Sequence, residues 1–308
     1  MTVKAEWVWM DGKMVKFEEA TVPIMTYTLH YGYGTFEGIR AYQRTDGHSH
    51  VFRLREHVKR LRESAHILGM KLAYTQEEIE NACLDVLRIN RFATGYLRPL
   101  VYLGSEGMGL GALDNSVHLA ISAWQWGAYL GDDGLKNGIR CKVSSYQRGH
   151  VNISMVKGKI CGQYVNSVMA KREALNAGYN EAIMLDPQGY VAECTGENLF
   201  MVKDQVLITA PYGASILGGI TRDTVIQLAK DLGYKVQERL FSRDEMYVAD
   251  EVFLCGTAAE ITPVKEIDDR KVGTGEPGQA TRKIAGLFFD IVKGSQTQYG
   301  EWRYDFSL

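Results

Sequence analysis

Three features between Lys159 and Arg222 could together do chemistry on a small molecule. Lys159 supplies an amine inside a glycine-containing run, Lys157-Gly158-Lys159-Ile160-Cys161-Gly162-Gln163-Tyr164. Glu193 ends a strand-like run and precedes Cys194-Thr195-Gly196-Glu197-Asn198-Leu199-Phe200. Leu217-Gly218-Gly219 opens a helix that begins Ile220-Thr221-Arg222, where free N–H groups and the helix dipole favour a phosphate. An amine, a carboxylate for a ring nitrogen and a phosphate cradle are what an aldehyde-phosphate cofactor needs. Each part alone has a plainer reading. A single lysine is usually a solvated surface residue, a strand glutamate is usually solvated too, and Gly-Gly before a helix is usually a turn. The order and combination carry the argument.

The elements that must position these residues follow from spacing. Trp7–Met10, Asp11-Gly12 and Lys13–Phe17 predict a hairpin, because Asp-Gly between β-formers favours a type I′ turn. Val58, Leu61, Ala65 and Leu68 give a helical stripe over 55–70. Thr75-Gln76-Glu77-Glu78 is a capping box that opens a second helix through Ile89. Strand character returns over 96–103 and 117–124, then lapses at Gln125 to Gly134. A helix is expected over 162–176 with Gly178 behind it. Strand, turn and strand follow over 181–193. Helices at 221–232 and 282–292 flank a buried strand at 252–255. Tyr31-Gly32-Tyr33-Gly34-Thr35-Phe36-Glu37-Gly38 imitates a dinucleotide fingerprint, but Ile39-Arg40-Ala41-Tyr42 continues as strand where that motif requires a helix. Hairpins outnumber βαβ units, so the expected class is α+β. The expected division is 1–124, a connection at 125–134, and 135–308.

Bulk properties narrow the function. The chain has 308 residues and a net charge of −2, so no basic field points to nucleic acid or an anionic membrane. Its 5 cysteines include no Cys-x-x-Cys pair, which argues for reduced thiols and against a disulfide framework or a zinc site. The N-terminus lacks the apolar core of a signal peptide, and no run of about 18 apolar residues could span a bilayer. A soluble cytoplasmic globule with no metal is the expectation.

The combined motifs resemble the fold type IV, class IV pyridoxal-phosphate enzymes, and within them the branched-chain-amino-acid aminotransferases. The resemblance rests on Glu193, Asn198, Leu199-Phe200, Leu207, Thr209, Leu217, Gly219, Ile220 and Arg222 at fixed spacing. Leu29-His30-Tyr31-Gly32, Phe36-Glu37-Gly38-Ile39-Arg40, Gly107-Met108-Gly109 and Cys255 to Pro263 extend it over nearly the whole chain. It implies a two-domain fold and pyridoxal 5′-phosphate as cofactor. The implied reaction is ping-pong transamination of L-leucine, L-isoleucine and L-valine with 2-oxoglutarate.

The resemblance also implies roles. Lys159 forms the Schiff base; its rival Lys157 lacks the five-residue spacing to Tyr164. Glu193 partners the ring nitrogen, and Tyr164 donates to the ring hydroxylate. Arg60, Leu217, Ile220, Thr221 and Thr257 form the phosphate cup, with Arg60 supported by the shared Arg-Glu-His-x-x-Arg-Leu pattern at 55–61. Tyr96 with Thr257 and Ala258 takes the α-carboxylate, with Arg40 in support. Arg98, Tyr31 and the Gly109-Leu110 backbone take glutamate's distal carboxylate. Tyr31 and the 107–110 loop come from a neighbouring copy in the family, so a homodimer is the implied minimum. Phe36, Gly38, Trp126 and Tyr129 line the apolar pocket. Without the resemblance these three aromatics read as ordinary core.

Two departures from the family pattern, Cys161 and Gln163, leave the chemistry intact. A third, Tyr33, stands two residues from Tyr31; read as one strand, the pair would share a face and Tyr33 would reshape the pocket. Competing readings are a D-amino-acid or (R)-amine aminotransferase, an aminodeoxychorismate lyase, and a catalytically silent nucleotide-binding module.

Overall fold

The computed structural model describes residues 5–112 and 114–308. These form two compact units, one of Met1–Trp126, Gly158–Gln163 and Ile291–Leu308, the other of Gly127–Lys157 and Tyr164–Asp290.

In chain order the first unit begins with β1 (Trp7–Met10) and β2 (Lys13–Lys16), the expected hairpin. Asp11 and Gly12 take φ of 45° and 89°, the left-handed pair that a type I′ turn demands. Then come α1 (Tyr27–Tyr31), β3 (Gly34–Phe36), β4 (Ile39–Gln43), β5 (Ser49–Phe52), α2 (Leu54–Ile67), α3 (Gln76–Ile89), β6 (Gly95–Leu103) and β7 (Val117–Trp124). The Thr75 side chain accepts from the Glu78 N–H and Glu78 accepts from the Thr75 N–H, the capping box read from the sequence. Val58, Leu61 and Ala65 of α2 are buried against a core that includes Ile39, Leu87, Leu97 and Ile121.

The second unit holds α4 (Asp132–Asn137), β8 (Ile139–Val143), α5 (Val151–Ser154), α6 (Tyr164–Asn176), β9 (Glu181–Leu185), β10 (Val191–Cys194), β11 (Asn198–Lys203) and β12 (Val206–Thr209). It continues through α7 (Ile220–Asp231), β13 (Lys235–Glu238), α8 (Arg243–Tyr247), β14 (Glu251–Gly256), β15 (Glu260–Ile267) and β16 (Arg270–Lys271) to α9 (Gln279–Val292), whose final Ile291 and Val292 fall in the first unit. The chain ends in β17 (Arg303–Phe306), which returns to the first unit. One sheet runs β17-β5-β4-β6-β7-β1-β2 with β3 also on β6; the other runs β10-β9-β8-β15-β14-β11-β12-β13 with β16 on β15. The first is antiparallel throughout, while β8 pairs in parallel with β9 and β15, and β12 with β13. Both sheets fit the α+β class.

The units divide the chain differently from the expected boundaries, and backbone pairing is the reason. Residues 158–163 join the first unit because the Phe36 N–H donates to the Lys159 carbonyl at 3.1 Å and the Gly162 N–H to the Gly32 carbonyl at 3.0 Å. An isolated antiparallel bridge joins Thr35 to Ile160. The C-terminal strand, unread from sequence, extends the same sheet by pairing with β5. Among the described residues no helix is long and apolar enough to cross a membrane, and no cluster of side chains could hold a metal ion.

Candidate active site

Each unit gathers its own share of the expected residues. In the first, Lys159 is fixed through its backbone: its N–H donates to the Ser64 hydroxyl at 3.0 Å, and its carbonyl receives the Phe36 N–H. Its Nζ lies 5.1 Å from the centre of the Phe36 ring. The guanidinium of Arg98 on β6 sits among three aromatic rings, 4.7 Å from Phe36, 5.7 Å from Tyr96 and 5.6 Å from Trp124. Its buried Nε has no hydrogen-bond acceptor among the described residues. Trp126 meets Tyr96 edge to face at 4.7 Å.

Gly38 is dictated by Tyr96: a Cβ there would stand 1.8 Å from the Tyr96 hydroxyl. Buried Arg40 is the antiparallel partner of Tyr96 across β4 and β6. Tyr31 and Leu110 are exposed, and Gly109 takes φ 96°.

The same unit holds a buried charge network in which sequence reading gave a role to Arg60 alone. Glu37, with none of its surface exposed, accepts from Arg60 Nε at 2.6 Å, Arg60 Nη2 at 3.0 Å and His57 Nδ1 at 2.7 Å. Burial alone would raise the Glu37 pKa, but Arg60 and then His57 outweigh it and hold the carboxyl well below the usual range. His57 is pulled down by burial, against the pull of Glu37. A sequence signal existed: His57 and Arg60 are three apart on α2 and so share a face, and Glu37 is the one acid between the strand-forming runs 34–36 and 39–43.

Tyr33 overturns its expectation. Tyr31 closes the helix α1, Gly32 turns at φ 64°, and β3 begins only at Gly34, so the two tyrosines do not share a strand face. The Tyr33 hydroxyl instead donates to the Leu68 carbonyl at the end of α2, and its ring packs against the first core.

In the second unit Glu193, on β10, is pinned from three sides. Arg148 Nη2 approaches its Oε1 at 2.8 Å, and its Oε2 accepts from Asn198 Nδ2 at 3.1 Å and the Leu217 N–H at 3.0 Å. Arg148 escaped the sequence reading because it stands in a loop after β8 with no periodicity to mark it. Gly219, which has no side chain, is the N-cap of α7, and Ile220 and Thr221 follow, buried. Thr257 and Ala258 form the turn between β14 and β15. Tyr164 opens α6 half-buried. Tyr129 is exposed, its ring 5.3 Å from Lys171 Nζ.

Lys157 belongs to this unit and is fully engaged. Its ammonium donates to the carbonyls of Tyr212, Ala214 at 3.0 Å and Ile216 at 2.9 Å. That separates it in chemistry from Lys159.

The amino-transferase class IV family model matches residues 34–267. The branched-chain-amino-acid aminotransferase of Pseudomonas aeruginosa is 48% identical over 296 residues, covering 96% of both chains. The solved Escherichia coli branched-chain amino acid aminotransferase superposes with a TM-score of 0.95 at 44% identity, over 98% of this chain and 99% of that one. The Thermobaculum terrenum branched-chain amino acid aminotransferase, solved in its PLP-form, gives 0.93 at 34% identity with all of both chains covered. Matched in this way over nearly its whole length, the chain belongs to the class IV aminotransferases, and among them to the branched-chain-amino-acid aminotransferases.

Proposed function

We propose that this protein moves the amino group of L-leucine, L-isoleucine and L-valine to 2-oxoglutarate, with pyridoxal 5′-phosphate held on Lys159. The observation that carries the reading is the surroundings of Arg98. Phe36, Tyr96 and Trp124 ring a guanidinium whose buried Nε lacks an acceptor. Apolar walls suit a branched side chain, and the cation suits glutamate's distal carboxylate, so one place serves both substrates.

The residues present fit the cofactor. Glu193 is a buried carboxylate already fixed in orientation by Arg148, Asn198 and Leu217, as a ring-nitrogen partner requires. The α7 N-terminus, entered through Gly219, fits a phosphate by its dipole, with Thr221 and Thr257 as hydroxyl donors and Arg60, oriented by Glu37, as a cation. Tyr164 is assigned to the ring hydroxyl. When bound, pyridoxal phosphate supplies an electron sink for the bond breaking at the substrate α-carbon. Lys159 would hold the cofactor's aldehyde carbon through Nζ and, once freed by the incoming amine, would take the substrate α-proton on Nζ and deliver it to the cofactor carbon. Tyr96, Arg40 and the Thr257-Ala258 turn orient the α-carboxylate. Gly38, Trp126 and Tyr129 bound the side-chain pocket.

We assign Tyr31 and the Gly109-Leu110 loop to the active site of a second copy, which makes a homodimer the working unit. The exposure of Tyr31 and Leu110 supports this. The cytoplasm is the compartment proposed, in keeping with free cysteines at all 5 positions.

The test is the visible absorbance of the protein loaded with cofactor, followed on adding L-leucine, D-leucine or (R)-1-phenylethylamine. Loss of the band with L-leucine alone, and its return with 2-oxoglutarate, is expected. A response confined to D-leucine or the (R)-amine would overturn the substrate assignment.

A further inference from the structure

The first lysine of the Lys157-Gly158-Lys159 run is bound to a loop whose far end reaches both Glu193 and α7. Residues 211–219 connect β12 to α7 through a compact turn, in which the Ala214 N–H donates to the Pro211 carbonyl at 2.9 Å. Three carbonyls of that turn, from Tyr212, Ala214 and Ile216, converge on Lys157 Nζ. The same ammonium lies 4.4 Å from the centre of the Tyr212 ring. That ring in turn covers Gly218, where a Cβ would stand 2.7 Å from Tyr212 Cε2.

The next residue along, Leu217, gives its N–H to Glu193 at 3.0 Å and its carbonyl to Asn198 Nδ2 at 3.0 Å. Turn, carboxylate and helix entry are thus one continuous hydrogen-bonded path that begins at Lys157. An ammonium has three N–H donors, and here three carbonyls accept them. A charged donor binding carbonyls makes stronger bonds than a neutral one, and here the ammonium is half-buried. Burial pulls Lys157 below the ordinary lysine range, against the pull of Glu193.

We infer that Lys157 is a positioning residue: it staples the 212–216 turn so that the Leu217 N–H reaches Glu193 and the first N–H groups of α7 are set for a phosphate. The inference rests on the assignment of the α7 N-terminus to the cofactor phosphate. Lys157 touches neither substrate nor cofactor in this role. Its loss would act on the phosphate more than on the ring, because the turn leads directly into Gly219 and α7.

The experiment compares Lys157→Met, Lys157→Arg and Thr221→Ala with the parent protein. Cofactor is released and the affinities for pyridoxal phosphate and for pyridoxal, which lacks the phosphate, are measured by absorbance titration. Amide hydrogen exchange over 211–219 is followed in the same samples. If Lys157→Met does not yield folded protein, Lys157→Gln, which keeps an N–H donor, is measured in its place.

The expected result is a fall of about tenfold or more in the preference for pyridoxal phosphate over pyridoxal for Lys157→Met, with faster exchange confined to the turn. Lys157→Arg, which keeps charge and donors, is expected to recover most of the preference. An unchanged preference in Lys157→Met beside a clear fall in Thr221→Ala would overturn the inference while leaving the phosphate assignment intact. An unchanged preference in both would overturn the phosphate assignment and the inference with it.

Discussion

Glu37→Gln is the most demanding test of the network beneath the site. Glutamine keeps the shape of the side chain but removes its charge, and it must present an NH₂ to either Arg60 or His57. The wild-type carboxylate accepts from Arg60 at 2.6 and 3.0 Å and from His57 at 2.7 Å with no exposed surface. Removing one partner of a buried ion pair costs about 3–5 kcal/mol, because the remaining charge stays buried without compensation. His57→Gln removes one bond and no net charge, for a cost of about 1–3 kcal/mol. Urea unfolding followed by near-UV circular dichroism measures both, and the melting temperature of Glu37→Gln is expected to fall by on the order of 10 °C.

The pH dependence has a definite sign. Glu37 is depressed in the folded state, so its contribution is present above the unfolded value of about 4.3 and fades as pH falls toward the folded one. The gap between wild type and Glu37→Gln should therefore close in acid. A loss below about 1 kcal/mol, or one smaller than that of His57→Gln, would refute the buried-pair reasoning.

Other consequences are simpler. Gly38→Ala puts a Cβ 1.8 Å from the Tyr96 hydroxyl, so Tyr96 must shift; overpacking of about 1–3 kcal/mol predicts a loss of roughly 10–100-fold in kcat/KM for L-leucine by steady-state assay. Glu197 is pushed up to about 8 by burial and then by Glu181, against Lys171, and is held as a neutral acid. Because its folded pKa is raised, it costs stability as pH climbs from the unfolded value toward about 8, and Glu197→Gln should gain stability over wild type in urea more at the higher pH. Burial pushes the Cys161 thiol up to about 11 against the opposing charge of Arg98, so its alkylation by iodoacetamide, mapped by peptide mass, should run on the order of a hundredfold slower than that of a free cysteine near neutral pH.

Much of the fold was legible where a local rule leaves one outcome. Asp11-Gly12 fixed a hairpin, Thr75 and Glu78 fixed the start of α3, and Gly178 at φ 81° closed α6 as a C′ glycine should. What escaped depends on pairing between distant segments. β17 has no strong strand pattern of its own and is defined by its register with β5, Arg303 against Phe52. The placement of 158–163 with the first unit rests on two backbone bonds to Gly32 and Phe36 that no local motif announces. Tyr31 and Tyr33 read as one strand in sequence, while the positive φ of Gly32 breaks the segment into helix and strand.

The site divides the same way. Lys159, Glu193 and the Gly-Gly turn stand out as candidates by residue type and order alone. The pairings of Arg148 with Glu193 and of Glu37 with His57 and Arg60 join distant segments and form when the chain folds and a buried carboxylate must find its cations.

The central claim is a division of labour between two lysines two residues apart, and one measurement addresses it directly. The protein loaded with pyridoxal phosphate is reduced with borohydride, digested, and the modified peptide sequenced by mass spectrometry. The pyridoxyl mass is predicted on Lys159, with Lys157 unmodified because its ammonium is held by the Tyr212, Ala214 and Ile216 carbonyls. A pyridoxyl group on Lys157, or on any lysine other than Lys159, would contradict the account.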